Sequence, residues 1–272
     1  MKFTLRVTGW IDRFATAVDV LGLANSIKIL VFGRLSSKPM AILLKNGLVF
    51  NFEGALDYGV MSHFYKEGYL IQDSETDRVA TILDVGANIG DETARFLVHH
   101  PNAHIVAIEA APRNFSLLEK TFEKITNVEV LNCAVWPVKA NLKIMPGRTM
   151  ESFTVIETSD GGEGTIPAIT IQDIMEKMDW NSIDILKLDI EGSEYELFTR
   201  GNREWTKKVR VFIFEVPDSD RLGTTQKIYK TLSENGLKYN TFVCGENIVL
   251  IRDDVSWKLR KVIGFLDDSR CS

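Results

Sequence analysis

The stretch from Thr81 to Leu97 constrains this chain more than any other. An apolar run, Val79 to Leu83, meets Asp84 and turns through Gly86, Ala87, Asn88, Ile89 and Gly90. It then passes directly into Glu92-Thr93-Ala94-Arg95-Phe96-Leu97, whose apolar residues have helical spacing. The pattern predicts a strand, a tight glycine turn and a helix. A glycine at 86 lets the backbone bend sharply and approach a ligand, and Gly90 lets the helix begin close to the strand. The unpaired N–H groups of the helix's first turn then face whatever lies above the strand.

A dinucleotide site of the Gly-x-Gly-x-x-Gly type would place glycines at 86, 88 and 91. Here those positions hold Gly86, Asn88 and Asp91. A carboxylate where a pyrophosphate would sit disfavours a phosphate-bearing cofactor. S-adenosylmethionine, with no phosphate and a cationic end, suits the acidic turn better. Asp84 is expected near its amino-acid portion, with Gly86, Ala87, Asn88 and Gly90 lining it.

At 272 residues and 45% hydrophobic content, the chain can bury a full core. The net charge of −5 argues against a nucleic-acid surface, but the charge is unevenly distributed. Residues 1–50 carry seven Lys and Arg against two Asp, and the remainder is acidic. Cys133, Cys244 and Cys271 have neither disulfide-framework nor zinc-ligand spacing, so a reducing, cytoplasmic setting is expected. The most apolar segment, Phe14 to Phe32, is interrupted by Asp19, Asn25 and Lys28, and reads as neither a secretory signal nor a membrane span.

Residues 12–35 predict a helix that is apolar on more than one side. Such a helix packs on the main domain or on a second subunit, or else offers a basic, apolar surface to a membrane or a lipid-linked substrate. Met40 to Phe52 predicts a hairpin with a two-residue turn at Asn46-Gly47. Residues 54–71 predict a short helix ending at Gly68 that brings His63, Tyr65 and Tyr69 toward the substrate side. From residue 80 onward, strands at 80–85, 104–109, 128–134, 183–189 and 209–216 alternate with helices near 90–99, 113–124, 193–200 and 222–235, which argues for a parallel sheet covered on both faces. A closing hairpin, 237–243 with 247–251, matches the antiparallel edge of a class I methyltransferase, an α/β Rossmann-like fold. A C-terminal helix is expected over 254–266. The glycine- and proline-rich stretch 136–167 predicts an inserted hairpin and loop, either a substrate lid or a surface excursion. The organisation expected is an extension over 1–75 and a methyltransferase domain over 76–272.

Apolar runs end in Asp84, Glu109, Asp189 and Glu215, so these acids should line the carboxyl edge of the sheet, where open α/β sheets bind ligands. Glu109 lies roughly 20 residues beyond the turn, where an acid receives ribose hydroxyls. Asn132 should border the adenine. Ser193 and Glu196 read as a capping box. Asp189 and Glu191, two apart in extended backbone, would then point the same way, with Lys187 on the same side. This cluster suits substrate binding or general-base work, or else an ion pair that fixes the turn.

The residues Leu83 to Gly90, Glu109 with Pro112, Ile166 to Ile174 and above all Ile183 to Glu194 resemble the FkbM-type S-adenosylmethionine-dependent methyltransferases. The resemblance spans roughly residues 55–252. It implies O-methylation of a hydroxyl on a sugar, glycan, glycolipid or polyketide-type acceptor. The implied donor-site residues are Asp84, Gly86, Asn88, Gly90 and Glu109, and the implied substrate side is Lys187, Asp189 and Glu191. Asp189 is the first choice of base, followed by Glu191 and His63. Asp189, Glu191 and Glu215 offer the oxygen ligands that Mg²⁺ prefers. The competing expectations are an N-methyltransferase, a metal-dependent O-methyltransferase of small aromatics, or a donor-binding scaffold without turnover. A homodimer and contact with the inner face of a membrane complete the expected partners.

Overall fold

The computed structural model describes residues 14, 17–32, 38–54, 57, 64, 69–146, 153–158, 162, 164–190, 192–215, 218, 221–244 and 247–261. In chain order the elements are α1 (Leu23–Phe32), β1 (Met40–Leu43), β2 (Val49–Phe52), β3 (Tyr69–Gln72), β4 (Thr81–Val85), α2 (Asp91–His99), β5 (His104–Ile108) and α3 (Pro112–Phe122). There follow β6 (Val128–Leu131), β7 (Ala134–Val135), β8 (Ala140–Pro146), β9 (Phe153–Thr158), β10 (Thr165–Ile169) and α4 (Ile171–Lys177). The last group is β11 (Ile183–Leu188), α5 (Glu194–Thr199), β12 (Val209–Glu215), α6 (Thr224–Glu234), β13 (Tyr239–Cys244), β14 (Asn247–Arg252) and β15 (Lys258–Lys261).

Seven strands form the central sheet in the order β13-β14-β12-β11-β4-β5-β6, and β14 runs antiparallel to both its neighbours. Successive side chains of the inner strands enter opposite layers. Ile82, Ile105, Ala107, Ile185, Val211 and Ile213 join one buried cluster, while Leu83, Val106, Ile108, Leu186, Phe212 and Phe214 join the other. Burial on both faces explains why these strands read as continuous apolar runs. The first layer is completed by α2, α3 and the N-terminal elements, through Phe50, Phe52 and Phe64. The second is completed by α4, α5, Trp205 and α6.

The hairpin over 40–52 forms, but its turn is longer than expected. The Leu44 N–H donates to the Leu48 carbonyl at 2.8 Å, which leaves residues 45–47 as the loop, with Gly47 at φ +86°. The N-terminal helix is broken at Gly22, φ +77°, before α1 starts. The strand expected over 128–134 ends at Leu131. Ala134 and Val135 instead join a second sheet, β7-β10-β8-β9, in which the expected inserted hairpin is β8 with β9. Helix α4 was not expected. It is opened by a reciprocal capping box: the Asp173 N–H donates to Thr170 Oγ1 at 3.0 Å, and the Thr170 N–H donates to the Asp173 carboxylate at 3.2 Å.

The C-terminal helix expected over 254–266 is not formed within the described residues, because Lys258–Lys261 is a strand paired antiparallel with β3. Its approach is fixed by Trp257. The Trp257 indole N–H donates to the Asp77 carbonyl at 2.6 Å, and its ring carries the Arg210 guanidinium 4.0 Å from the centroid. Arg210 also pairs with Asp77 at 2.6 Å and with the buried Asp184 at 3.1 Å. Removing one member of such a pair leaves the other desolvated. Arg210→Ala is therefore expected to lower unfolding free energy by about 3 kcal/mol in urea titrations; a loss within error of zero would show that Asp184 is satisfied by backbone donors alone.

Candidate active site

Strands β4 and β11 are neighbours, and the helices that follow them lie on opposite faces, since α2 packs into the first layer and α5 into the second. A crevice at the carboxyl ends of such strands is where open α/β sheets take ligands. The glycine turn occupies this point. Gly86 and Ala87 both donate to the Ile108 carbonyl at 2.9 Å, and the Asp189 N–H donates to the Val85 carbonyl at 2.9 Å. The turn after β4 is thus clamped by the ends of both flanking strands.

The glycines serve the fold as well as any ligand. A Cβ on Gly86, which has φ +84°, would lie 1.8 Å from the Asp189 carbonyl oxygen. A Cβ on Gly90, φ +95°, would lie 2.6 Å from Phe122 and 2.7 Å from Leu118 of α3. Asn88 also takes a left-handed conformation, φ +52°, which asparagine tolerates better than most residues. Its N–H is thereby delivered to Glu109.

The acids stand at the carboxyl ends of adjacent strands, in the order Glu109, Asp84, Asp189, Glu215 across the sheet. Asp84 shares the orientation of Ile82 and points under α2, where Thr93 Oγ1 donates to it at 2.5 Å. It is 1% exposed, and burial drives its pKa from 3.8 up to about 7, against the opposing pull of the Thr93 hydrogen bond and of Lys187. Glu109 receives the Asn88 N–H at 2.9 Å and the Ala111 N–H at 2.7 Å, one on each carboxylate oxygen. Burial raises its pKa despite these bonds. Each oxygen retains a further lone pair for a hydroxyl donor. Asn132 donates through Nδ2 to the Glu109 carbonyl at 2.9 Å and so braces this turn.

Lys187 is the register partner of Asp84 and lies on the same side of the sheet, buried, with its Nζ 3.1 Å from the Asp189 carboxylate. The Asp189 side chain is 33% exposed, so this pair carries one buried and one accessible member. Glu215 ends β12 and is exposed. Glu191 and His63, like Tyr65, lie outside the described residues. Tyr69 is buried in the first layer under the Arg95 guanidinium, 4.5 Å from its ring centroid, which places it in the core rather than at the crevice.

The capping box expected from Ser193 and Glu196 is replaced by a different device. Ser193 makes no side-chain cap, and Glu196 pairs with Arg221. Glu194 instead turns back to accept the Ile190 N–H at 3.0 Å and the Gly192 N–H at 2.9 Å, which sets the course of the chain just beyond Asp189. Burial pushes the Glu194 pKa up to about 7. The missed signal was an acid in the helix's first turn, able to accept from the N–H groups of both Ile190 and Gly192. Among the described residues, no group of three or more His, Cys, Asp or Glu side chains is placed to hold a metal ion, and Asp189 faces an ammonium instead. Cys133 and Cys244 are both buried, and burial pushes the Cys133 thiol up to about 11. Among the described residues, no helix is long and apolar enough to cross a membrane.

The strand order, the single antiparallel strand and the turn at the switch point define a class I methyltransferase fold. A model of the methyltransferase FkbM domain matches residues 84–239, more than half of the chain, and the chain belongs to that family. No curated protein matches it. Among solved structures, methyltransferase FkbM from Methylobacillus flagellatus is similar at 17% identity over 63% of this chain, with a TM-score of 0.44; the match covers 43% of that protein's length. Aeropyrum pernix fibrillarin, crystallised with natively bound S-adenosyl-L-methionine, is 12% identical over 79% of this chain and 93% of its own, with a TM-score of 0.38. The N-terminal domain of human METTL16, in complex with SAH, is 14% identical over 66% of this chain and 64% of its own, also with a TM-score of 0.38.

Two outcomes test this geometry. Gly86→Ala adds both a left-handed penalty and a clash with backbone, and is expected to cost about 3 kcal/mol or more in urea unfolding; a near-neutral result would mean that the β4 and β11 turns are not in contact. The raised Asp84 pKa carries a pH signature. The folded carboxyl keeps its proton to higher pH than the unfolded one, so its contribution is complete below about pH 4 and is lost as pH rises through about 7. Asp84→Asn abolishes that titration. Between pH 4 and 8 the variant should therefore gain on the native protein by up to about 4 kcal/mol in unfolding free energy. Parallel profiles would show that Asp84 is not desolvated.

Proposed function

We propose that this chain transfers the methyl group of S-adenosylmethionine to a hydroxyl oxygen, on a sugar, glycan, glycolipid or polyketide-type acceptor. The observation that carries the reading is the Lys187–Asp189 pair, a buried ammonium holding a partly exposed carboxylate at the switch point, next to the glycine turn and Glu109. The donor set fits S-adenosylmethionine. Glu109, fixed by two N–H groups, keeps lone pairs for the two ribose hydroxyls, and the acidic edge of Glu109 and Asp189, with Asp84 buried behind it, suits a cationic ligand that bears no phosphate.

When bound, S-adenosylmethionine supplies an electrophilic methyl carbon whose bond to sulfur breaks as the acceptor oxygen attacks. The chain's own contribution is largely placement. The clamped turn after β4 holds the donor end, and Glu109 holds the ribose. Asp189 takes the acceptor's hydroxyl proton on a carboxylate oxygen, while Lys187 holds that carboxylate in position through Oδ2 and balances its charge. A general base of this kind contributes on the order of 10²–10⁴ in rate.

The test is transfer of a deuterated methyl group from S-adenosylmethionine into fractionated host extract, read by mass spectrometry. Label bound to oxygen in a glycan, lipid or polyketide fraction supports the proposal; label on nitrogen, or only in small aromatics, overturns it. Asp189→Asn is expected to cut turnover by about 100-fold or more while leaving S-adenosylhomocysteine affinity unchanged in calorimetry. Full turnover in that variant would remove Asp189 as the base. Turnover that disappears with EDTA and returns with Mg²⁺ would assign the metal-dependent reading instead.

A further inference from the structure

The N-terminal elements have an outward face that the fold does not use. On α1, Ser26 and Ile29 are buried, while Leu23 and Ile27, one turn apart on the other side, are 58% and 49% exposed, with exposed Lys28 next to them. On the hairpin, Ile42 and Phe50 enter the core, whereas their neighbours Leu43 and Val49, directly opposite each other in the ladder, are 59% and 49% exposed. The two elements form one unit, since Asn25 donates to the Leu43 carbonyl and the Lys45 N–H to the Val20 carbonyl. Among the described residues, the other large exposed apolar side chains, Val138, Ile156, Leu222, Tyr229 and Val243, are spread over the inserted sheet, α6 and its approach, and β13.

We infer that this face docks on an anionic lipid bilayer, with Leu23, Ile27, Leu43 and Val49 entering the interface and Lys28, exposed beside them, meeting acidic headgroups. Charge selects this occupant. Residues 1–50 hold seven Lys and Arg against two Asp, whereas residues 51–272 hold 25 Lys and Arg against 35 Asp and Glu, the differences from the chain totals of 32 and 37. A symmetric pairing of two copies through this face would bring like charges together. An anionic bilayer accepts the apolar side chains and the positive charge at once, and the acidic remainder of the chain is repelled from it, which fixes the orientation.

The experiment is flotation of the purified chain with vesicles of phosphatidylcholine alone and of phosphatidylcholine with phosphatidylglycerol, at low and at physiological salt. The chain is expected to float with the anionic vesicles only and less at higher salt. Leu23→Ser with Ile27→Ser, and separately Leu43→Ser with Val49→Ser, should each weaken partitioning by about tenfold, whereas Leu222→Ser, an apolar position outside the face, should not. Lys28→Glu serves as a second probe of the face, expected to weaken binding to anionic vesicles without removing an apolar side chain. Absence of binding to anionic vesicles, or equal binding by the face variants and the native chain, overturns the inference. So does a sedimentation shift from dimer to monomer in the face variants without any lipid recruitment, which would assign the face to a second copy.

Discussion

The contact on which the site depends is the seat of the Gly86 turn on the Asp189 carbonyl, so close that any Cβ at 86 would overlap it. It joins the ends of β4 and β11, the two central strands whose following helices diverge to opposite faces. Because the turns touch through backbone, the donor-side loop and the loop carrying Asp189 form one rigid edge. Glu109 enters the same frame through Asn88, whose left-handed backbone aims its N–H at the carboxylate. A shift in any one of these turns would be felt in the other two, which is the form of coupling that in-line transfer between two bound molecules requires.

That edge is built from carboxylates at a cost. Asp84, Glu109 and Glu194 are each buried deeply enough for desolvation to raise their pKa values, and each is met by dedicated donors: Thr93 for Asp84, Asn88 and Ala111 for Glu109, Ile190 and Gly192 for Glu194. Hydrogen bonds and a buried ammonium offset part of the burial cost but not all of it. The uncompensated remainder is a crevice wall with a standing preference for positive charge. A sulfonium donor satisfies that preference, and a pyrophosphate would oppose it, so Asp91 in place of a third glycine and the acids of the neighbouring strands point to one ligand class.

The central sheet was legible in the sequence because strands buried on both faces must be apolar throughout, and the acids that stop those runs mark their carboxyl ends. Glu109 was legible as the acid that ends such a run roughly 20 residues beyond the glycine turn, and the Lys187–Asp189 pair because spacing along an extended strand sets which side a residue takes. What escaped were choices made by three-dimensional partners. Ser193 had the right type and spacing for a cap, yet the neighbouring Glu194 reaches two N–H groups at once and wins the position. Residues 258–261 have no strand signature of their own and become a strand because β3, far earlier in the chain, offers an edge, with Trp257 and Arg210 fixing the approach. The extra length of the hairpin loop likewise follows from the Leu44–Leu48 pairing, which the Asn46-Gly47 dipeptide does not specify.

The N-terminal elements show how one segment can answer two demands. Along the hairpin the side chains alternate, so Ile42 and Phe50 are dictated by the layer they complete, and Leu43 and Val49 are free of it. The same division runs around α1, with Ile29 inside and Ile27 outside. A chain under selection only to fold would place polar residues at the free positions, because an apolar side chain in water adds nothing to stability and promotes association. Apolar residues stand at both ends of one cross-strand pair, and again one helical turn apart on the element tied to it. The surface proposed above, at once apolar and negatively charged, would match both these positions and the excess of basic residues in the same part of an acidic chain.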